Sequence, residues 1–248
     1  MNLDPIDITK VNPTELLQDA KAILEKIESS WKKSKLFSYK LEKSHKEVPV
    51  QTYNIDSLNG VSWCARVTDF KQFDSTTKLK YHQSMLKYIL GSTSNLDQTH
   101  TEYEKEYIHE LYDYKVSKLN LGSAEDGHSL TYSVKLYYKF QFPLKKRVFY
   151  ELVHIYRPED SYDAYVISLA AKPEQFESST DKGEFVVGRY TSIEKITFNA
   201  EGDTLKWTMC TCSTPGGLIP NWLTNASING AIAKDVPSFL NWIDKYDK

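Results

Sequence analysis

Residues 205–243, LKWTMCTCSTPGGLIPNWLTNASINGAIAKDVPSFLNWI, carry the reading that decides the fold. Residues 203–212 read as a strand. Ser213-Thr-Pro-Gly-Gly-Leu-Ile-Pro220 is a glycine and proline break that must reverse the chain before a helix opens near Pro220. In that helix Trp222, Leu223, Ala226, Ile228, Ile232, Ala233, Val236, Phe239, Leu240, Trp242 and Ile243 leave little purely polar face, so burial against a sheet is expected. Pro237 should kink or restart the helix, because proline lacks the amide donor and disfavours helical geometry at Val236.

Upstream, the chain is written mainly in strand language: runs rich in Tyr, Val, Ile and Thr separated by turn residues. Strands are expected near 105–117, 129–140, 147–157, 163–170 and 185–198. Hairpin turns at Asp126-Gly127 and Glu201-Gly202-Asp203 imply an antiparallel meander. From Leu130 to Phe140, the set Leu130, Tyr132, Val134, Leu136, Tyr138 and Phe140 lies on one face, while Thr131, Ser133, Lys135 and Lys139 are expected mostly to meet solvent. Val61-Ser-Trp-Cys-Ala-Arg-Val67 is another strand, with Trp63, Ala65 and Val67 on one face and Cys64 and Arg66 on the other.

Two helices precede this region. Asn12-Pro13-Thr14-Glu15 combines a cap, a proline at the first helical position and a carboxylate three residues after the cap. The stripe Leu16, Leu17, Ala20, Ile23, Leu24, Ile27 and Trp31 carries that helix onto a core. A second helix is expected from about Asp74 to Gly91, and residues 32–59 read as loop with at most one short edge strand.

Composition narrows the function. The 248 residues carry 31 Lys plus Arg against 33 Asp plus Glu, so no positive field exists for nucleic acid. One domain spanning 1–248 is expected, with residues 1–59 forming a helix and an extension. The opening MNLDPIDITK is unlike a signal peptide and no apolar run is long enough to span a bilayer, which points to a cytoplasmic protein. Cys64, Cys210 and Cys212 are expected to be free thiols. The pair Cys210 and Cys212 lacks third and fourth ligands, the six histidines show no metal-binding spacing, and no cofactor loop is present, so neither metal nor cofactor is expected.

The stretch Lys206 to Leu223, continued by Ala231 to Ile243, resembles the C-terminal motif of a fungal START-like family of unassigned function. Trp63-Cys-Ala-Arg66, Lys146-Arg147-Val148-Phe149 and Tyr190-Thr-Ser-Ile-Glu194 resemble further segments of it in the same order, and the likeness covers roughly residues 60–245. It implies an α+β helix-grip fold: a curved antiparallel sheet closed by a long C-terminal helix over a cavity for a sterol, phospholipid or other hydrophobic molecule. The candidate cavity contacts are Trp63, Arg66, Tyr132, Tyr138, His154, Tyr156, Arg189, Trp207, Trp222, Ile228, Ile232 and Phe239.

Arg66 invites two readings. Its guanidinium is suited to fix a lipid hydroxyl or phosphate through forked hydrogen bonds, or to pair with a sheet carboxylate such as Glu194 or Glu151. Phe142-Pro143-Leu144 beside Lys145, Lys146 and Arg147, and the tip Leu218, Ile219 and Trp222, suit either transient membrane contact or ordinary solvated turns. Against a lipid carrier stand two alternatives. One is an enzyme of cyclase or hydrolase type using Glu151, Glu194 and His154; the other is an interaction module with a solid core.

Overall fold

The computed structural model describes residues 1–121, 127–140, 145–176, 185–199, 201–214, 216 and 221–246, with the side chains of the last segment described from 228 onward. Helix α1 (Pro13–Leu24) is capped by the Asn12 side chain, which accepts from the amides of Thr14 and Glu15. A further turn, α2 (Ile27–Ser30), follows it. Strands β1 (Lys32–Lys40) and β2 (Glu47–Leu58) then form a hairpin.

That hairpin corrects the loop expected over 32–59. As an outer strand, β1 is exposed along most of its length, so its sequence KKSKLFSYK shows none of the apolar alternation that betrays a half-buried strand. Pro49 lies opposite Ser38 of β1, before the stretch of β2 that pairs with the next strand, where a missing amide donor costs no ladder bond.

After β3 (Val61–Asp69), the chain forms α3 (Ser75–Met85), whose helical path continues through a π-type turn at Leu86–Leu90. It stops at Gly91, where φ is +78° and a Cβ would stand 2.5 Å from the amide nitrogen of His100. Helix α4 (His100–Tyr107) replaces the first part of the strand expected over 105–117. The Thr99 hydroxyl caps it by accepting from the Glu102 amide, and Thr-x-x-Glu is a helix-start signature.

Strands β4 (Leu111–Lys118), β5 (Gly127–Tyr138), β6 (Arg147–Pro158) and β7 (Ala164–Ala170) follow. The short β8 (Val186–Val187), β9 (Arg189–Phe198) and β10 (Leu205–Thr214) complete the strands. The turn expected at 201–203 joins β9 to β10, with Gly202 at φ +70°. Asp126 lies outside the described residues. The sheet order is β1-β2-β3-β10-β9-β7-β6-β5-β4, antiparallel throughout this path, with β8 parallel to β6. The meander is thus interrupted once, where β3 pairs with β10 and the intervening chain crosses to the far edge.

Helix α5 (Asn221–Tyr246) runs through Pro237 without restarting and lies across β1, β2 and β3 beside α4. Buried Val236, Phe239, Leu240 and Ile243 join the core that the sheet presents to it, including Trp207, Tyr132 and Val134. The opposite face is buried as well. Leu16, Leu17, Ala20, Ile23 and Ile27 share a second core with Trp63, Ala65, Val67, Ile193, Cys210 and Tyr156. Thr131, Ser133 and Lys135 are therefore buried, contrary to the solvent expected around them. A sheet covered on both sides hides its polar residues as readily as its apolar ones.

Candidate functional site

Strand alternation sorts the candidate residues between these two layers. Arg66 on β3, Tyr132 and Tyr138 on β5, Trp207 on β10 and Phe239 on α5 all belong to the α5 side. Ile228 and Ile232 of α5 pack there in a small separate cluster with Cys64, Met209 and Tyr190. Trp63 and Tyr156 lie on the other face, against the N-terminal helices. His154 shares their side, since it alternates with Glu151, Val153 and Ile155; its Nδ1 pairs with the Thr131 hydroxyl at 2.8 Å. Burial pushes its pKa down to about 4. Arg189 is exposed at the start of β9. These four residues do not share a chamber with the others. The Trp222 side chain, and the tips at Phe142, Pro143, Leu144, Leu218 and Ile219, lie outside the described residues.

The centre of the α5 side is polar. Arg66 is 1% exposed, lies 4.0 Å from the Trp207 ring centroid and meets Glu194 Oε2 at 3.4 Å. The Trp207 indole donates to the same oxygen at 2.8 Å. Of the two carboxylates that the sequence offers Arg66, the fold selects Glu194. Among the described residues Arg66 Nε and Nη1 have no hydrogen-bond partner, and the guanidinium is held by its ion pair with Glu194 and the Trp207 ring face.

Beside this group lies a small, partly enclosed cavity of about 20 Å³, room for roughly one water. Glu104 from α4, Glu151 from β6 and Glu194 from β9 line it, together with Tyr138, Tyr190, Ser168 and Ser192; Leu136 and Val153 supply an apolar wall. Burial raises the Glu151 pKa well above its ordinary value, and the Glu104 charge adds to the effect. Burial likewise raises Glu104, against the pull of His100, whose Nε2 lies 3.8 Å away. Asp235 of α5 is pushed up to about 7 by burial, which the attraction of Arg66 only partly offsets. The phenols of Tyr138 and Tyr190 are pushed well above 10 by the same desolvation. Low-dielectric surroundings disfavour every anion here except where a cation answers it.

Sequence reasoning missed Glu104 and Asp235. Glu104 stands in a polar helix read partly as strand, and Asp235 is an acid in a helix with almost no polar face. The second anomaly was a usable signal, as was Glu151 inside the run VFYELVHIY. Glu151 and Glu194 do meet at one cavity, but His154 faces the other layer, so the three do not form an acid–base set. The three cysteines are buried and free, and burial pushes Cys64 and Cys212 up to about 12. Among the described residues no cluster of His, Cys, Asp and Glu is arranged to hold a metal ion. Nor, among them, is any helix long and apolar enough to cross a membrane. Two larger surface recesses, of about 380 and 330 Å³, open on the α1 side of the sheet.

A curved antiparallel sheet wrapped around a long C-terminal helix defines a START-like helix-grip protein, and solved structures share this architecture. Human STARD10 aligns over 93% of this chain and 80% of its own, with a TM-score of 0.61 and 14% identity. Human StAR-related lipid transfer protein 5 aligns over 94% of this chain and 99% of its own (TM-score 0.62, 9% identity). The lipid transfer and protein localization domain of human StarD13 aligns over 92% and 95% (TM-score 0.52, 12% identity). At residues 63–243 the chain matches, and belongs to, the family described as Protein of unknown function (DUF3074). No curated protein matches it by sequence.

Proposed function

We propose that the protein binds a hydrophobic or amphipathic molecule, a lipid in the broad sense, between the concave sheet face and α5, and that it carries or senses this molecule without transforming it. The observation that supports the reading most directly is a small cavity on the face of the sheet that α4 and α5 cover, lined by α4 and strands β5, β6, β7 and β9 of a helix-grip fold. Two of the similar human proteins are described as lipid transfer proteins or domains. At about 20 Å³ the cavity is too small for a chain-bearing ligand, so entry requires the helices over this face, α4 and its neighbour α5, to move from the sheet. Sequestered apolar surface would then contribute roughly 25 cal/mol per Å², before ordering costs are subtracted.

Native mass spectrometry of the full chain after mild purification tests this, combined with extraction and identification of any bound lipid. Retention or exchange of a hydrophobic ligand is expected. A protein that never acquires one from detergent-solubilised lipid mixtures would overturn the reading.

A further inference from the structure

The cavity is lined by acids, and not by the arginine that would suit an anionic headgroup. Arg66 does not line it; Glu194, the partner of Arg66, stands between the guanidinium and the space. Three carboxyl groups from three different elements face the space, among the hydroxyls of Thr101, Ser168, Ser192, Tyr138 and Tyr190, with His100 beside Glu104. Glu151 is 2% exposed, lines the cavity and has no hydrogen-bond or ion-pair partner among the described residues. A buried carboxyl left unanswered is costly, and such groups are normally partnered. The missing partner is one that brings donors and positive charge.

An ammonium group meets this demand. It offers three N–H donors and no acceptor, and it is about the size of the single water that the space admits. A hydroxyl brings one donor, and a phosphate brings negative charge beside three acids. Apolar side chains adjoin the cavity. Tyr190, on its wall, packs against the small cluster of Cys64, Met209 and Ile232, over which Ile228 lies.

We propose that this cavity receives the protonated primary amine of a single-chain amphiphile, held by Glu104, Glu151 and Glu194, with its chain lying under α5 along Met209, Cys64, Ile228 and Ile232. The assignment rests on the reading that the domain binds an amphipathic ligand beneath α5, and specifies its headgroup. Burial favours the protonated form of Glu151 and an adjacent ammonium favours the ionised form, so binding is expected to release a proton to solvent.

Isothermal titration of the full chain at pH 7 with dodecylammonium, dodecyltrimethylammonium, dodecanoate and dodecyl phosphate, each below its micelle concentration, tests this. Dodecylammonium is expected to bind at least about tenfold more tightly than either anion, and more tightly than the trimethylated cation, which has no N–H donor. Its binding enthalpy should vary between buffers of different ionisation enthalpy, because a proton is released. Glu151→Gln and Glu104→Gln, checked for folding by thermal melts, should each weaken the amine by about tenfold while leaving the anions unchanged or improved. Anions bound as tightly as the amine, an amine enthalpy independent of buffer, or folded variants with undiminished amine affinity would each overturn the headgroup assignment while leaving lipid binding intact. Failure of all four amphiphiles to bind would overturn both.

Discussion

Glu194 ties together the charges beneath α5, because it accepts from the Trp207 indole while neutralising Arg66. Removing it leaves a guanidinium in a water-poor layer without its ion-pair partner. Glu194→Gln is expected to cost about 3–5 kcal/mol, read from urea unfolding, whereas a double variant replacing Arg66 and Glu194 by Met and Leu should recover much of the loss. Single and double variants equally unstable would show that the pair stabilises beyond mutual neutralisation. Asp235 makes a pH prediction. Its carboxyl holds a proton to about pH 7 in the folded chain, against an ordinary value of 3.8. Between about pH 4 and pH 7 the folded chain therefore binds more protons at this position than the unfolded chain. The contribution is complete below that window and is lost as pH rises through it. Relative to Asp235→Asn, the wild-type chain should lose up to about 1.4 kcal/mol of stability per pH unit across the window. Parallel stability curves for the two proteins would refute this.

At the scale of elements, α5 is held by aromatic packing. Phe239 lies 5.5 Å from Trp207 and 5.4 Å from Tyr107, in tilted, edge-to-face contacts with both. Truncation there opens a void between α5, α4 and β10, which a close-packed core does not collapse to fill. Phe239→Ala is expected to cost about 3–5 kcal/mol in chemical unfolding, with hydrogen exchange rising first in α5. A loss under about 1 kcal/mol would mean that the helix is held elsewhere. The salt bridge of Lys245 with Glu42 at 2.8 Å is well exposed and contributes little to this hold.

The whole molecule is a sheet between two covers, and the N-terminal cover is as integral as α5. Residues Leu16, Leu17, Ala20, Ile23, Ile27 and Trp31 pack in one core with Trp63, Tyr53, Ile193 and Cys212. A chain lacking residues 1–31 should expose that face, bind a hydrophobic dye strongly and lose its cooperative thermal transition. A truncated chain that melts cooperatively and ignores the dye would show that residues 32–248 hold together without this cover.

Much of this was legible in residues. The buried closing helix, strands β5 to β10 and the face sharing of Trp63 with Val67 and of Cys64 with Arg66 follow from spacing alone, because periods of 2 and 3.6 are local properties of the backbone. The resemblance of the C-terminal stretch to a START-like family carried the architecture. Strand β1 was not legible, since an exposed edge needs no apolar alternation, and α4 was hidden in polar residues with a weak stripe.

What tertiary structure alone decided is which face meets which cover. Alternation divides Trp63 from Arg66 and His154 from Glu151, but it cannot say that α1 covers one set and α5 the other; that depends on β3 pairing with β10 across most of the chain. The β6-β7-β9 ladder and the packing of α4 bring Glu104, Glu151 and Glu194 to one cavity from a helix and two non-adjacent strands. Their separations in sequence obey no local period, so only the closed fold could assemble them.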